Sequence, residues 1–296
     1  MMNIAIYGLL VLAFIVPVFP ADGVGYDHNY VALDMGYRYD RVDEKQSVIY
    51  PQIGKGTFIE QLKNGATFTL GASGAWSMPC NRFLVKGEGH YGWLDADVSQ
   101  FGLAKASGRG NTVDYSVAVG YSFDHFCALE IIPFIGYGYD RIKCKTSNFT
   151  APDAVDVDFV PEEKRYTFYA PWVGLDLVPR IDCLPFDLSM GYEFHYGRSK
   201  VSTKTDPAFI LFGQWTYEAK FKHTQGHVFR LEGSKTFCES WLANLALKYT
   251  YWRNNADTFD VNGFIEESVD LPGTIQYGEV LQWRSFSLTF SLGKTF

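Results

Sequence analysis

Apolar and small polar residues alternate along much of the chain, most clearly near its C-terminal end. Phe286, Leu288 and Phe290 would lie on one face of an extended strand, with Ser287 and Thr289 on the other. A period of two with one apolar and one polar face indicates a strand between two different environments. The pattern therefore predicts β-structure.

The same alternation recurs along the chain. The predicted strands are 28–41, 64–78, 82–97, 111–124, 127–143, 165–181, 184–201, 224–238, 240–255 and 277–296. Each has the length of about ten residues or more that a tilted strand needs to cross a bilayer. Short turns alternate with longer polar loops, and in lipid every backbone donor and acceptor must be paired inside the protein. We therefore predict an all-β fold, a closed antiparallel transmembrane β-barrel of about ten strands.

Composition and charge narrow the function classes. Aromatic residues make up 17% of the chain and charged residues only 20%, below the roughly 25% of soluble domains. The net charge is −7 and no basic stripe is present, which argues against nucleic acid as a partner. The sequence carries no phosphate-binding glycine loop and no zinc spacing, so no cofactor is predicted.

The N-terminal segment differs from the rest of the chain. Ile4–Phe19 is one continuous apolar run, followed by Pro20 and Ala21. We interpret residues 1–21 as a secretory signal peptide and 22–296 as the barrel. An uncleaved anchor helix is the alternative, although the run is short for a span.

The closing strand ends on Phe296. In this it resembles the last strand of bacterial outer-membrane barrels, where the terminal Phe is part of the assembly signal. The resemblance implies a location in the bacterial outer membrane. It also implies the lipid bilayer, lipopolysaccharide and the assembly machinery as partners.

Charged residues of both signs occur on the predicted inward faces. They are Asp34, Arg38, Lys86, Glu88, Glu130, Asp176, Arg180, Glu193, Arg230, Glu232 and Lys248. The lumen of a ten-stranded barrel is only slightly wider than the side chains that fill it, and an unpaired buried charge costs several kcal/mol. We therefore expect these charges to pair and to fill most of the lumen.

Cysteines mark the predicted short turns. Cys80, Cys127, Cys183 and Cys238 each lie at or beside one of them, whereas Cys144 begins a predicted external loop. Neighbouring short turns are roughly 10 Å or more apart, too far for a disulfide between them. Either these thiols cross-link to other envelope proteins, or they are free.

Cysteines at the periplasmic rim of an outer-membrane barrel resemble the envelope of chlamydia-like bacteria, in which disulfides supply rigidity. The resemblance implies a Protochlamydia-type outer membrane protein. On this basis we expect a structural or porin-like envelope role, with a lumen filled by charged pairs.

The order and length of the strands also resemble the omptins, ten-stranded outer-membrane endopeptidases. The resemblance rests on Ile135–Arg141, Pro171–Leu175 and Gly191–Phe194. It implies, as the alternative function, peptide hydrolysis in a groove between external loops. In omptins one Asp pair and one Asp-x-His pair hold a water that attacks the peptide carbonyl.

Candidate omptin-like residues are present only in part. Asp95 and Asp97 stand at the top of the third strand, where the omptin Asp pair would be. Asp206 matches the aspartate of the second pair, but Ala208 occupies the histidine position. His223 and His227 are the nearest possible substitutes. The resemblance thus implies the omptin fold, while the missing histidine argues against an enzyme.

Overall fold

The computed structural model describes residues 29–50, 54–78, 82–100, 104–126, 129–150, 161–179, 181, 184–205, 216–238, 240–254, 257–260 and 276–296. Its strands are β1 Tyr30–Tyr50, β2 Gly54–Ser77, β3 Phe83–Gln100, β4 Ala104–Tyr121, β5 Phe123–Phe126, β6 Leu129–Thr150, β7 Glu162–Pro179, β8 Asp187–Thr205, β9 Thr216–Phe237, β10 Trp241–Asn254, β11 Asp257–Asp260 and β12 Gln276–Thr295. Within this part of the chain, no helix has the length and apolarity of a membrane span.

Ten long strands form one closed antiparallel sheet. Their order is β1-β2-β3-β4-β6-β7-β8-β9-β10-β12, and β12 returns to pair with β1 from Tyr30↔Thr295 to Ile49↔Gln276. The short strands β5 and β11 pair only with β6 and β12. The predicted closed barrel is confirmed, and closure leaves no free edge among the ten long strands.

The outer surface near the short turns is apolar. Leu33 is 75% exposed and Ile135 is 65% exposed, and Leu288 and Phe290 are exposed on β12. An aromatic girdle lies at the end of this surface that is remote from the short turns. Its members are Tyr37, Tyr39, Tyr91, Trp93, Tyr115, Tyr137, Tyr196 and Tyr249. Such a band bounded by aromatics is the lipid-facing surface of a barrel.

Beyond the girdle, the inward side chains become apolar and the outward side chains become polar. On β3 the outward residues Tyr91 and Trp93 are exposed, and the next inward residues, Leu94 and Val98, are only 4% and 5% exposed. Asp97, between them, is exposed. We call the part of the barrel from the short turns to the girdle the membrane zone, and the part beyond it the external zone.

The long strands extend further than predicted. The predicted loop 42–63 is largely the continuation of β1 and the start of β2, and the predicted loop start at Cys144 lies inside β6. The predicted strand ends were wrong because the outward residues become polar above the girdle while the backbone pairing continues.

Candidate functional site

The barrel interior in the membrane zone holds a connected set of charged side chains. Arg38 on β1 donates from Nε to Asp40 Oδ2 and from Nη1 to Asp114 Oδ1, both at 2.9 Å. His90 on β3 lies 2.8 Å from Asp114 Oδ2 through Nδ1 and 3.1 Å from Asp34 Oδ2 through Nε2. One guanidinium and one imidazole thus join three carboxylates from two strands, β1 and β4.

A second group forms around Arg230 on β9. Its three nitrogens contact Asp176 Oδ1 at 3.1 Å, Glu193 Oε1 at 3.3 Å and Glu232 Oε1 at 2.8 Å. Lys86 Nζ reaches the other oxygen of Asp176 at 2.8 Å. Every donor direction of the guanidinium plane therefore meets a carboxylate, the arrangement for which arginine is best suited.

Further pairs extend this interior set. Lys248 Nζ lies 2.5 Å from Glu88 Oε1, and His195 Nε2 lies 3.0 Å from Glu193 Oε2. Ser122 donates to Glu130 at 2.5 Å. Of the charged residues predicted to line the lumen, only Arg180 lies outside the described residues.

Inward glycines provide the space for these large side chains. A Cβ on Gly71 would lie 2.3 Å from His90 Cδ2, and a Cβ on Gly191 would lie 2.7 Å from Asp176 Oδ1. The close approach of backbone and side chain therefore requires glycine at both positions.

The interior charges leave a small cavity of about 90 Å³. One wall consists of the charged groups, and the other carries the small polar side chains Ser285, Ser287, Thr289 and Ser291 of β12. A polar cavity of this size accommodates several ordered water molecules.

An apolar layer lies inside the barrel in the external zone and has members on all ten long strands. Phe168 stacks between Trp252 and Trp283, with ring centroids 5.4 and 5.2 Å apart, and all three side chains are at most 1% exposed. Other members of this layer are Val42, Leu62, Leu94, Ala96, Val98, Ala106, Ile142, Tyr166, Ala170, Val201, Ala219, Phe221 and Leu281. Trp283 Nε1 donates to Asp40 Oδ1 at 3.0 Å and so joins the apolar layer to the charges beneath it.

A smaller apolar cluster lies near the short turns, on the β2–β7 side. It consists of Ala75, Leu84, Ala118, Ile132, Phe134 and Trp172. Apolar side chains therefore lie on both sides of the charged set along the barrel axis, as the larger layer beyond the girdle and the smaller cluster near the short turns.

A lysine with three glutamates lies at the far end of the apolar layer. Lys164 Nζ contacts Glu44 Oε2 at 3.1 Å, Glu60, and Glu162 Oε1 at 3.8 Å. Burial raises the pKa of Glu60 well above its ordinary value, although Lys164 opposes the shift. Burial lowers the pKa of Lys164, but the three carboxylates outweigh that effect and hold it well above its ordinary value.

The structure describes two of the three catalytic candidates. Asp95 and Asp97 point outward because they share the exposed face of β3 with Trp93. Asn64 Nδ2 donates to Asp97 Oδ2 at 2.9 Å, and the inward residue between the two aspartates is the buried Ala96. Asp206 lies outside the described residues.

The histidines considered as substitutes also point outward. His223 Nδ1 lies 2.8 Å from the hydroxyl of Tyr196, and His227 Nδ1 lies 2.9 Å from the hydroxyl of Tyr192. Within the described residues, neither histidine contacts Asp95 or Asp97. This geometry gives no support for a catalytic groove built from these residues.

The cysteines differ in accessibility. Cys144 faces inward and is 2% exposed, and burial raises the pKa of its thiol to about 12. Cys238 is exposed in the turn between β9 and β10, with a φ of 48°. Cys80, Cys127 and Cys183 lie outside the described residues.

Sequence reasoning missed several interior residues. Asp114 is a central acceptor, and its place in an alternating segment between Val113 and Tyr115 could have revealed it. Lys164, Glu44 and Glu60 were assigned to loops or loop edges, and no sequence signal marked them as inward-facing.

Comparison with known proteins identifies the family. The family model of the Protochlamydia outer membrane protein matches residues 32–296. The chain belongs to this family. The predicted location in the bacterial outer membrane is thereby confirmed, as is the predicted family resemblance. No curated protein sequence matches the chain.

A solved outer-membrane barrel has the same kind of fold as this chain. The outer membrane protease OmpT from Escherichia coli is 12% identical, covers 93% of this chain and 99% of its own, and superposes with a TM-score of 0.66. The translocator domain of the autotransporter NalP from Neisseria meningitidis is 13% identical over 88% of each chain, with a TM-score of 0.38. At these identities the likeness to OmpT concerns the barrel fold alone.

Proposed function

We propose that this outer-membrane barrel is a closed, non-conducting structural component of the envelope. The observation that carries the proposal is the apolar layer around Phe168, Trp252 and Trp283, which spans the barrel between the charged interior and the external end. A hydrated ion would have to displace fully buried aromatic side chains in order to pass. The role we favour is therefore that of a scaffold, and a porin is the alternative.

Planar-bilayer conductance of the refolded protein tests this proposal. We expect no stable open-channel current from the wild type. A triple variant, Phe168→Ala, Trp252→Ala and Trp283→Ala, removes the stack and is expected to conduct. Leu245→Ala, an exposed outward position on β10, is the matched control and should stay closed. A stable current from the wild type would overturn the proposal.

Disulfides at the periplasmic rim would give such a scaffold mechanical continuity. The exposed thiol of Cys238 supports this part of the proposal. Non-reducing gels of isolated envelopes should show high-molecular-weight species that collapse to the monomer on reduction. Cys238→Ser should decrease these species, whereas Cys144→Ser should leave them unchanged because that thiol is buried. A monomer in both the non-reducing and the reducing lane would contradict the cross-linking hypothesis.

The protease alternative has its own test. The likeness to OmpT supports the fold, but the outward position of Asp95 and Asp97 does not favour hydrolysis. A fluorogenic dibasic peptide incubated with the refolded protein should remain intact. Cleavage that disappears in Asp97→Ala would replace the scaffold proposal with an enzymatic one.

A further inference from the structure

The outer surface just beyond the aromatic girdle is strongly basic. Outward-facing arginines and lysines occur there on most of the long strands, and we call this set the basic belt. Its members are Arg41, Lys45, Lys105, Arg109, Arg141, Lys143, Lys145, Arg165, Arg198, Lys200, Lys220, Arg253 and Arg284. The chain as a whole carries a net charge of −7, so the belt is a local concentration of positive charge.

Several cations in the basic belt stand directly opposite one another on neighbouring strands. These cross-strand pairs are Arg41–Arg284, Arg109–Lys145, Lys143–Arg165 and Lys200–Lys220. Like charges directly opposite in an antiparallel ladder are destabilising. The pairs are distributed around the barrel, so they do not reflect one irregular hairpin.

Carboxylates of the protein compensate only some of these pairs. Glu163 lies 2.9 Å from Lys143 and 3.9 Å from Arg165, and Glu218 bridges the Lys200–Lys220 pair. Asp43 lies 3.1 Å from Arg41. In contrast, neither Arg109 nor Lys145 makes an ion pair within the described part of the chain, although Asp95 stands opposite Arg109 on β3. An anion outside the protein would complete the charge balance there.

The position of the basic belt identifies that anion. The girdle marks the membrane–water interface, and the belt lies beyond it on eight of the ten long strands, beginning two residues past Tyr39 at Arg41 and six residues past Tyr115 at Arg109. Phosphate groups of lipid heads lie at this depth, and arginine and lysine bind phosphate through charge-assisted hydrogen bonds. At the end with the short turns, by comparison, Lys235 stands opposite Ala243 of β10 and Lys294 stands opposite Trp241, so these outward lysines do not form an opposed pair.

We propose that the basic belt binds the phosphorylated head groups of lipids in the outer leaflet. The opposed cation pairs are the positions at which a head-group phosphate inserts between two strands. The protein is thereby held at a fixed depth and gains stability from a phosphorylated leaflet. This inference does not depend on whether the lumen conducts.

The test is a titration of the refolded full chain, in a neutral detergent, with bis-phosphorylated lipid A or with its dephosphorylated form. Tm is read from the heat-induced shift on gels. We expect the phosphorylated lipid to raise the Tm of the wild type by several degrees and the dephosphorylated lipid to raise it much less. The quadruple variant R41Q/R109Q/K145Q/R284Q should lose most of this difference. The control K235Q/K294Q should keep it.

The same experiment separates the proposal from a merely structural role. In neutral detergent alone, the quadruple variant should be about as stable as the wild type, because repulsion between the pairs is removed and the exposed Arg41–Asp43 ion pair that is also lost contributes little. If the variant does not fold, the repulsion is tested on the wild type alone. Added salt should then raise the Tm of the wild type in neutral detergent, because salt screens the repulsion between the paired cations. Equal shifts with both lipids, a wild-type response in the quadruple variant, or a full shift from inorganic phosphate at equal concentration would each overturn the proposal.

Discussion

The membrane zone and the external zone are built from the same strands in opposite senses. In the membrane zone Leu288 and Phe290 face outward and the charges around Arg230 face inward. In the external zone Leu94 and Val98 are buried, and Asp97 is exposed. The same hydrogen-bonded barrel therefore faces lipid in one zone and water in the other. This is possible because side chains alternate between the two faces of a strand, so the apolar residues can move from the outer to the inner face while the backbone pairing continues.

This difference also separates the two kinds of interior. In the membrane zone the lumen is polar and contains a cavity, whereas the apolar layer lies beyond the girdle, where water surrounds the strands and favours an apolar core. A barrel that ended at the girdle would lack that layer.

The largest effect is expected from the charged interior of the membrane zone. Arg230→Met leaves Asp176, Glu193 and Glu232 without their shared cation, and Lys86 can serve only part of them. We expect the free energy of unfolding to fall by about 3–5 kcal/mol, as for a broken buried ion pair. Urea unfolding in lipid vesicles measures it, and Arg198→Met, at an exposed position in the external zone, is the control. A loss no larger than that of the control would contradict the pairing.

The next comparison places the same charge on the outer face of each zone. Leu288→Arg introduces a charge into the lipid-facing surface and should cost about 2–4 kcal/mol of folding free energy. Asp97→Arg introduces it above the girdle and should cost less than about 0.5 kcal/mol, as most surface substitutions do. The two variants are compared by urea unfolding in the same vesicles. Equal costs would mean that the two surfaces face the same solvent.

The smallest effect concerns the glutamates around Lys164. Because the pKa of Glu60 is raised well above 4.5 in the folded barrel, the folded state holds this proton more tightly than the unfolded state. The stabilisation from that proton is fully present below the ordinary glutamate pKa and is lost as the pH rises through the raised folded pKa. The free energy of unfolding should therefore decrease over this range in the wild type.

Glu60→Gln removes the titrating group and should flatten that decrease. The high pKa of Lys164 keeps the lysine charged throughout the range, so it does not add a slope of its own. Glu163→Gln, on the outward face of the same region, is the control. Identical pH profiles for the wild type and Glu60→Gln would remove the assignment of the proton to Glu60.

The two zones also differ in how much of them could be predicted from the sequence. In β1 and β12, outward Leu and Phe alternate with inward small or charged residues, so strand positions and inward faces follow from the period alone. The strand count and closure follow from the alternation of short and long connections.

The external zone could not be predicted in the same way. After Trp93 the apolar face of β3 changes from outward to inward. In the sequence, Asp95 and Asp97 therefore resemble the polar end of a strand, whereas in the structure they lie on the outward face of a strand that continues. Likewise, no local pattern shows that Glu44, Glu60 and Lys164 meet, since their contact depends on how three strands are placed around the closed cylinder.

Accessibility along one strand tests the reversal most directly. Single nitroxide labels at the outward positions 85, 87, 91, 93, 95 and 97 of β3, with the native cysteines replaced by serine, would be read in lipid vesicles for their relative collision rates with oxygen and with a water-soluble nickel chelate. Oxygen should dominate up to position 91, and the chelate should dominate at positions 95 and 97. If position 97 were as accessible to oxygen and as protected from the chelate as position 87, the girdle would not be the membrane boundary and the two-zone account would be wrong.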